Sequence, residues 1–205
     1  GKEQTTVVVY VYRNIFDSRL PISTGRPSTE APEPRFQAGK PLGDHGSPPW
    51  SSMWFVNNTL LMRDQARSAE MALADAAHAD RPRYVFNNLF VHESRLPPPN
   101  PTIVGQGISD GNLYWSHTTK DVDTTKLFAK FRGSPAYAES KKVYAAGFGS
   151  GSRVGDPKLN ADYTLDTGSA AIDAGVELPS EASAAIKDPL RAADRGAPDI
   201  GALPL

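Results

Sequence analysis

Phe86-Asn87-Asn88-Leu89-Phe90 is the stretch whose reading decides the fold. Its pattern recurs as Tyr12-Arg13-Asn14-Ile15-Phe16, Val56-Asn57-Asn58-Thr59-Leu60 and Asp110-Gly111-Asn112-Leu113-Tyr114. Aligned on the second polar position, the asparagines are Asn14, Asn58, Asn88 and Asn112, separated by 44, 30 and 24 residues. The shrinking interval points to a repeating unit of about two dozen residues, with a long insertion at 17–52 and a shorter one at 63–81. Asparagine tolerates left-handed backbone at a tight corner. Its amide can also hydrogen-bond the equivalent asparagine one unit above and below, a ladder that satisfies buried polar groups. The apolar flanks then face the interior. The alternative is four chance hairpin turns.

Composition agrees with a strand- and loop-rich chain. Of 205 residues, 17 are Gly and 18 are Pro. Proline inside a helix costs about 3 kcal/mol, which disfavours a helical bundle. Hydrophobic residues make up 39%, and 22 Lys+Arg against 23 Asp+Glu leave a net charge of −1, so the chain is neither disordered nor equipped with the basic face a general nucleic-acid binder needs. No apolar run approaches the length of a membrane span. There is no cysteine, hence no disulfide and no thiolate chemistry. Position 1 is Gly, and the buried-strand signal Val7-Val8-Val9-Tyr10-Val11-Tyr12 follows almost at once. We read this start as that of a processed C-terminal piece of a longer polypeptide; a tag scar or an ordinary first strand is the alternative.

Near the C-terminus, Gly168-Ser169-Ala170-Ala171-Ile172-Asp173-Ala174-Gly175 is followed by Arg195-Gly196-Ala197-Pro198-Asp199-Ile200-Gly201-Ala202. With the strand–Asn–strand units, these segments resemble secreted bacterial proteins of the right-handed parallel β-helix, pectate-lyase-like family, with Ala170 standing where that ending usually has proline. The resemblance implies an all-β fold: one right-handed parallel β-helix (solenoid) domain over 1–205, with an inserted loop (17–52), one short helix and an irregular C-terminal tail or cap (164–205). It also implies a secreted, periplasmic or cell-surface location and a polysaccharide partner. Residues 64–79 are alanine-rich and read as the short helix. Residues 118–161 read as irregular coil with one brief helix. The tail is expected to fold back along the stack and cover its C-terminal end.

The candidate chemistry lies mainly in the insertion, which holds seven prolines. His45, bracketed by Gly43-Asp44 and Gly46 and held by Pro48-Pro49, suits a general base. Arg19, Arg26 and Lys40 could neutralise a uronate carboxylate before β-elimination. Trp50, Asp44, Arg35, His92, His117 and Trp115 complete the expected substrate contacts, the tryptophans by stacking on sugar rings. His92 and His117, four and five residues past their asparagines, would lie near one another. The bland reading is that the arginines satisfy loop carbonyls and the histidines sit at turns and strand ends. No metal site is expected. Calcium is the one cofactor the pattern leaves open, because Asp17, Asp64 and Glu93 follow their strands. The functional expectation is a polysaccharide-binding and polysaccharide-cleaving protein, a lyase or hydrolase. The alternative is a noncatalytic surface or assembly protein that pairs with an N-terminal fragment of the same precursor.

Overall fold

The computed structural model describes residues 7–17, 19, 52–62, 82–93, 107–118, 126, 128, 129, 132–194 and 196–205. The four asparagine motifs each form a strand, a two-residue corner and a second strand. In chain order these are β1 (Val8–Tyr12) and β2 (Ile15–Asp17), β3 (Ser52–Val56) and β4 (Thr59–Met62), β5 (Arg83–Phe86) and β6 (Leu89–His92), and β7 (Gly107–Asp110) and β8 (Leu113–Ser116). First strands pair with first strands in the order β1-β3-β5-β7. Second strands pair in the order β2-β4-β6-β8, extended by β9 (Arg153–Val154). Every pair is parallel.

The asparagines stack as the repeat implies. Nδ2 of Asn14 donates to Oδ1 of Asn58 at 3.1 Å, Asn58 to Asn88 at 3.0 Å and Asn88 to Asn112 at 3.1 Å. Left-handed backbone, however, falls one residue earlier, at Arg13, Asn57, Asn87 and Gly111, with φ of 57°, 51°, 55° and 66°. The corner thus splits its two demands between adjacent residues, one turning the chain and the next tying the units together. At Gly111 a Cβ would also run into Oδ1 of Asn87. Arg13 is the costly exception, since an ordinary side chain in this region is disfavoured. Its Nε donates to Asp188 at 2.8 Å and its Nη1 to the Gly201 carbonyl at 3.0 Å, so tertiary bonds hold it there.

The inner strands β3 to β6 are buried on both faces, which is why they are nearly continuous apolar runs rather than alternating ones. Phe55 and Val85 of one sheet meet Leu60, Met62, Phe90 and Tyr114 of the other in a central cluster. Ring stacking runs along the sheets, with Phe90 and Tyr114 centroids 5.3 Å apart and Trp54 and Tyr84 4.0 Å apart. The C-terminal tail covers the outer faces. Leu165, Ala171, Ala174 and Ile200 pack on Leu61, Leu89, Val91 and Leu113, while Ala182 and Ile186 pack on Trp54, Val56 and Phe86. The two halves of the tail motif meet each other, Gly175 N–H donating to Pro198 O at 2.7 Å and Ile200 N–H to Ala171 O at 2.9 Å.

Three helices with both ends among the described residues accompany the sheets: α1 (Pro135–Val143), α2 (Ser180–Ala185) and α3 (Pro189–Ala193). Helix α1 is the brief helix expected within 118–161. Ser134 caps it, accepting from Tyr137 N–H, and Pro135 occupies its first turn, where a missing N–H costs nothing. The all-β, right-handed β-helix expectation is corrected here. The described residues build two parallel sheets with three short helices, an α/β-type arrangement, and no closed solenoid is traced among them. The misreading came from taking the whole tail as irregular. Ser180–Ala185 is a run of helix-compatible residues, and Asp188-Pro189 is a cap followed by an N1 proline. The tail runs along the sheets as far as Arg13 in the first unit; the far end is closed instead by the 147–155 segment, where Gly149 N–H donates to Ser109 O and Gly155 N–H to Tyr114 O.

Candidate functional site

Parallel strands deliver their polar chemistry where they end, because there the chain leaves the sheet and side chains gain access to solvent. On the second sheet, Asp17, Leu61, Val91 and Trp115 share one register row. Two residues further on, Arg19, Glu93 and His117 project from the ends of β2, β6 and β8. The ladder extends that far, since Glu93 N–H donates to Met62 O at 2.9 Å and His117 N–H to His92 O at 3.1 Å.

Arg19 binds Asp17 in bidentate fashion, Nε to Oδ1 at 2.9 Å and Nη2 to Oδ2 at 2.6 Å, and its Nη1 lies 4.0 Å from Glu93 Oε1. From the tail, Tyr163 donates its hydroxyl to Asp17 Oδ2 at 3.0 Å and packs in the same apolar cluster as Trp115. Hydrogen bonds from the Arg19 side chain, opposed by partial burial and helped by the Arg19 backbone and Tyr163, hold the Asp17 carboxyl down at about 2. The same pairing raises Arg19. The strip is therefore a hydrogen-bonded Asp17–Arg19 pair with the Glu93 carboxylate 4.0 Å beyond the guanidinium, bordered by half-buried Trp115 and Tyr163 and exposed His117.

His92 has a different position. It pairs in register with Ser116, not His117, and in a strand a one-residue offset sends side chains to opposite faces. His92 is 0% exposed, in the row of Met62, and neither ring nitrogen has a hydrogen-bond partner among the described residues. Burial pushes it down to about 4, so it is neutral and apolar in behaviour near pH 7. The structure thus brings Arg19, Trp115 and His117 to one face and turns His92 away from it. His45, Arg26, Lys40, Trp50, Asp44 and Arg35 lie outside the described residues, as does the expected 64–79 helix.

No family model, curated protein or solved structure matches the chain.

Two further polar features belong to the described residues. A cavity of about 540 Å³ opens between the corner residues Asn57 and Asn87 and the α2–α3 segment, with Ile186 and Leu178 in its wall and Asp188 and Arg191 on its rim. Asp173, Asp194 and Asp199 bring carboxylate oxygens within 4.8 Å of one another and are the residues that could hold a metal. Those oxygens already accept from backbone: Asp199 takes Asp173 N–H at 2.7 Å and Leu205 N–H at 3.0 Å, and Asp194 takes Gly196 N–H at 3.1 Å. Of the three carboxylates on which the calcium expectation rested, Asp17 and Glu93 have the Arg19 guanidinium between them, and Asp64 lies outside the described residues.

Tyr163 and the tail's part in the strip had no signal in the sequence. Tyr163 sits at φ 68° in a turn, outside any repeat, and reaches Asp17 only because the tail runs back along the sheet. Glu93 was visible as a residue following its strand, but its partner, 74 positions earlier in the chain, was not.

Proposed function

We propose that the protein is an extracytoplasmic carbohydrate-binding module whose binding surface is the strip at the ends of β2, β6 and β8. The observation that carries this reading is the Asp17–Arg19–Glu93 row set beside Trp115 and Tyr163. Ionised carboxylates and a guanidinium fixed by mutual pairing offer acceptors and donors to sugar hydroxyls at little reorganisation cost. Aromatic faces take the apolar side of a pyranose ring. Two carboxylates against one guanidinium leave the row net negative, which favours a neutral, hydroxyl-rich glycan segment over a uronate at this place. Cleavage is a separate matter: the proposed base His45 and its partners Arg26 and Lys40 belong to the insertion, and the present proposal is confined to binding.

The test is titration of neutral and uronate oligosaccharides against the whole chain, followed by calorimetry and tryptophan fluorescence, with Glu93→Gln and His117→Ala as variants. Saturable binding of a neutral oligosaccharide, weakened at least several-fold by Glu93→Gln, supports the reading. Absence of binding by every neutral oligosaccharide at millimolar concentration refutes it, as does binding indifferent to both variants.

A further inference from the structure

We propose that the open end of the two sheets, at β1, β2 and Asn14, is a docking site for a partner polypeptide that carries one more strand–corner–strand unit with asparagine at the corner. The asparagine ladder has a direction. Each Oδ1 accepts both the backbone N–H and the Nδ2 of the preceding unit: Asn58 from Asn14 at 3.0 and 3.1 Å, Asn88 from Asn58 at 2.9 and 3.0 Å, and Asn112 from Asn88 at 2.8 and 3.1 Å. At the far end the series stops on a different residue. Ser152 Oγ accepts the Asn112 N–H at 3.1 Å, and Arg153 N–H bonds Asn112 O at 2.9 Å, so that end is closed. At the near end no donor among the described residues reaches Asn14 Oδ1. Among the described residues that acceptor is unmatched, and what matches the corresponding acceptors in the other units is another asparagine's amide.

The surface around it fits the same occupant. β1 is the outermost strand of its sheet, with the hydrogen-bonding edge that a parallel neighbour uses elsewhere in the stack. Tyr10 and Tyr12 are 37% and 36% exposed, whereas Trp54 and Val56, their register partners one unit in, are 3% and 1%. Val11, Ile15 and Phe16 are half-buried where Phe55, Thr59 and Leu60 are buried. Among the described residues, the first unit's core residues are covered on one side only.

A second copy of this chain does not fit. Joining two near ends about a two-fold axis runs β1 antiparallel to β1 and sets Oδ1 of one Asn14 against Oδ1 of the other, acceptor to acceptor. Joining the near end of one copy to the far end of another meets the Ser152 closure. The occupant proposed is a partner segment parallel to β1 and β2, with a corner asparagine donating to Asn14 and apolar residues in the rows of Val11 and Phe16.

The chain's own third unit, residues 82–93 as a synthetic peptide, is a probe with this chemistry. Anisotropy titration of the labelled peptide against the full chain is expected to give saturable binding. Replacing the peptide's asparagine, Asn88→Leu, is expected to weaken binding about 10-fold, since a hydrogen-bond donor is lost at a buried acceptor. Asn14→Leu in the protein is expected to do the same, with little further loss when the two changes are combined. Asn14→Asp keeps the acceptor and is expected to stay within about 3-fold of the parent. Amide protection of β5 to β8 shows whether each protein variant is folded. A paramagnetic label on the peptide's first residue should broaden Val8, and one on its last residue Asp17. The proposal is overturned if the peptide does not bind at millimolar concentration, if Asn88→Leu peptide binds equally well, if the labels report antiparallel pairing, or if the chain alone sediments as a dimer that protects β1.

Discussion

Lowering the pH from 7 to 4 should destabilise this protein through one buried ring. His92 is fully buried with neither nitrogen hydrogen-bonded among the described residues, and burial brings it from 6.5 down to about 4. Above pH 6.5 the ring is neutral whether the chain is folded or unfolded, and it contributes no slope. Between 6.5 and 4 the unfolded chain takes up a proton that the folded chain refuses, so stability falls as pH falls, by up to about 1.4 kcal/mol per pH unit. Below 4 both states are protonated and the loss levels off. The interval of about 2.5 units corresponds to about 3 kcal/mol, a large share of the 5–15 kcal/mol typical of a domain. Urea unfolding at half-unit pH steps, on the parent and on His92→Leu, isolates this contribution from that of the carboxylates. Leu has similar volume and needs no hydrogen bond, so the variant should be more stable than the parent by about 1–3 kcal/mol at pH 7, with the advantage widening towards pH 4. Parallel stability curves for the two proteins over pH 4–6.5, or a His92 ring that titrates near 6.5 by NMR in the folded state, would refute the reasoning.

Three further outcomes follow from the same geometry. Asn88→Ala in the middle of the ladder leaves the buried Asn58 N–H and Phe55 carbonyl without their partners, and should cost about 3–5 kcal/mol in chemical denaturation, more than Asn14→Ala at the exposed end. At Arg13, glycine and alanine both forfeit the Asp188 pair, but only alanine keeps the left-handed penalty; Arg13→Ala should be less stable than Arg13→Gly by about 1 kcal/mol, read as a difference in urea midpoint. Asp17→Asn removes a carboxylate whose stabilisation is present above its unfolded value of 3.8 and lost as pH falls through about 2. Solvent screening of the part-exposed pair limits the effect to about 1 kcal/mol at pH 7, and the two stability curves should converge below pH 2.

The repeat itself was legible because the ladder needs one residue type at one place in every unit. A short amide side chain offers two donors and an acceptor at one place, which the series uses in every unit, so Asn14, Asn58, Asn88 and Asn112 survive as a pattern although their spacing varies. The turning position was less legible, since Arg, Asn, Asn and Gly all fill it, and only the backbone angles show that these residues carry the left-handed turn. The tail was misread for a related reason. Its small residues Ala171, Ala174 and Ala182 are buried because they lie against strands whose residues are 58 or more positions away, and neither period nor composition carries that information. For the site, Trp115 lies within β8 and His117 just past its end, but His92 was aligned by its distance from the corner, and a single step of register turned it inward. Tyr163 and the Arg19–Glu93 approach depend on chain segments far apart in sequence.

The two-residue corner has a consequence for how such a chain can change. Successive units are fastened at their corners and along their strands, while the connections at 18–51, 63–82 and 93–106 leave the end of one second strand and return at the start of the next first strand. Lengthening such a connection costs only about 0.6 kcal/mol per doubling, provided its ends stay in place. The ladder fixes those ends whatever lies between them. Each connection is in effect an independent port, where sequence can be exchanged, extended or grafted while the rungs at Asn58, Asn88 and Asn112 keep the register of everything else.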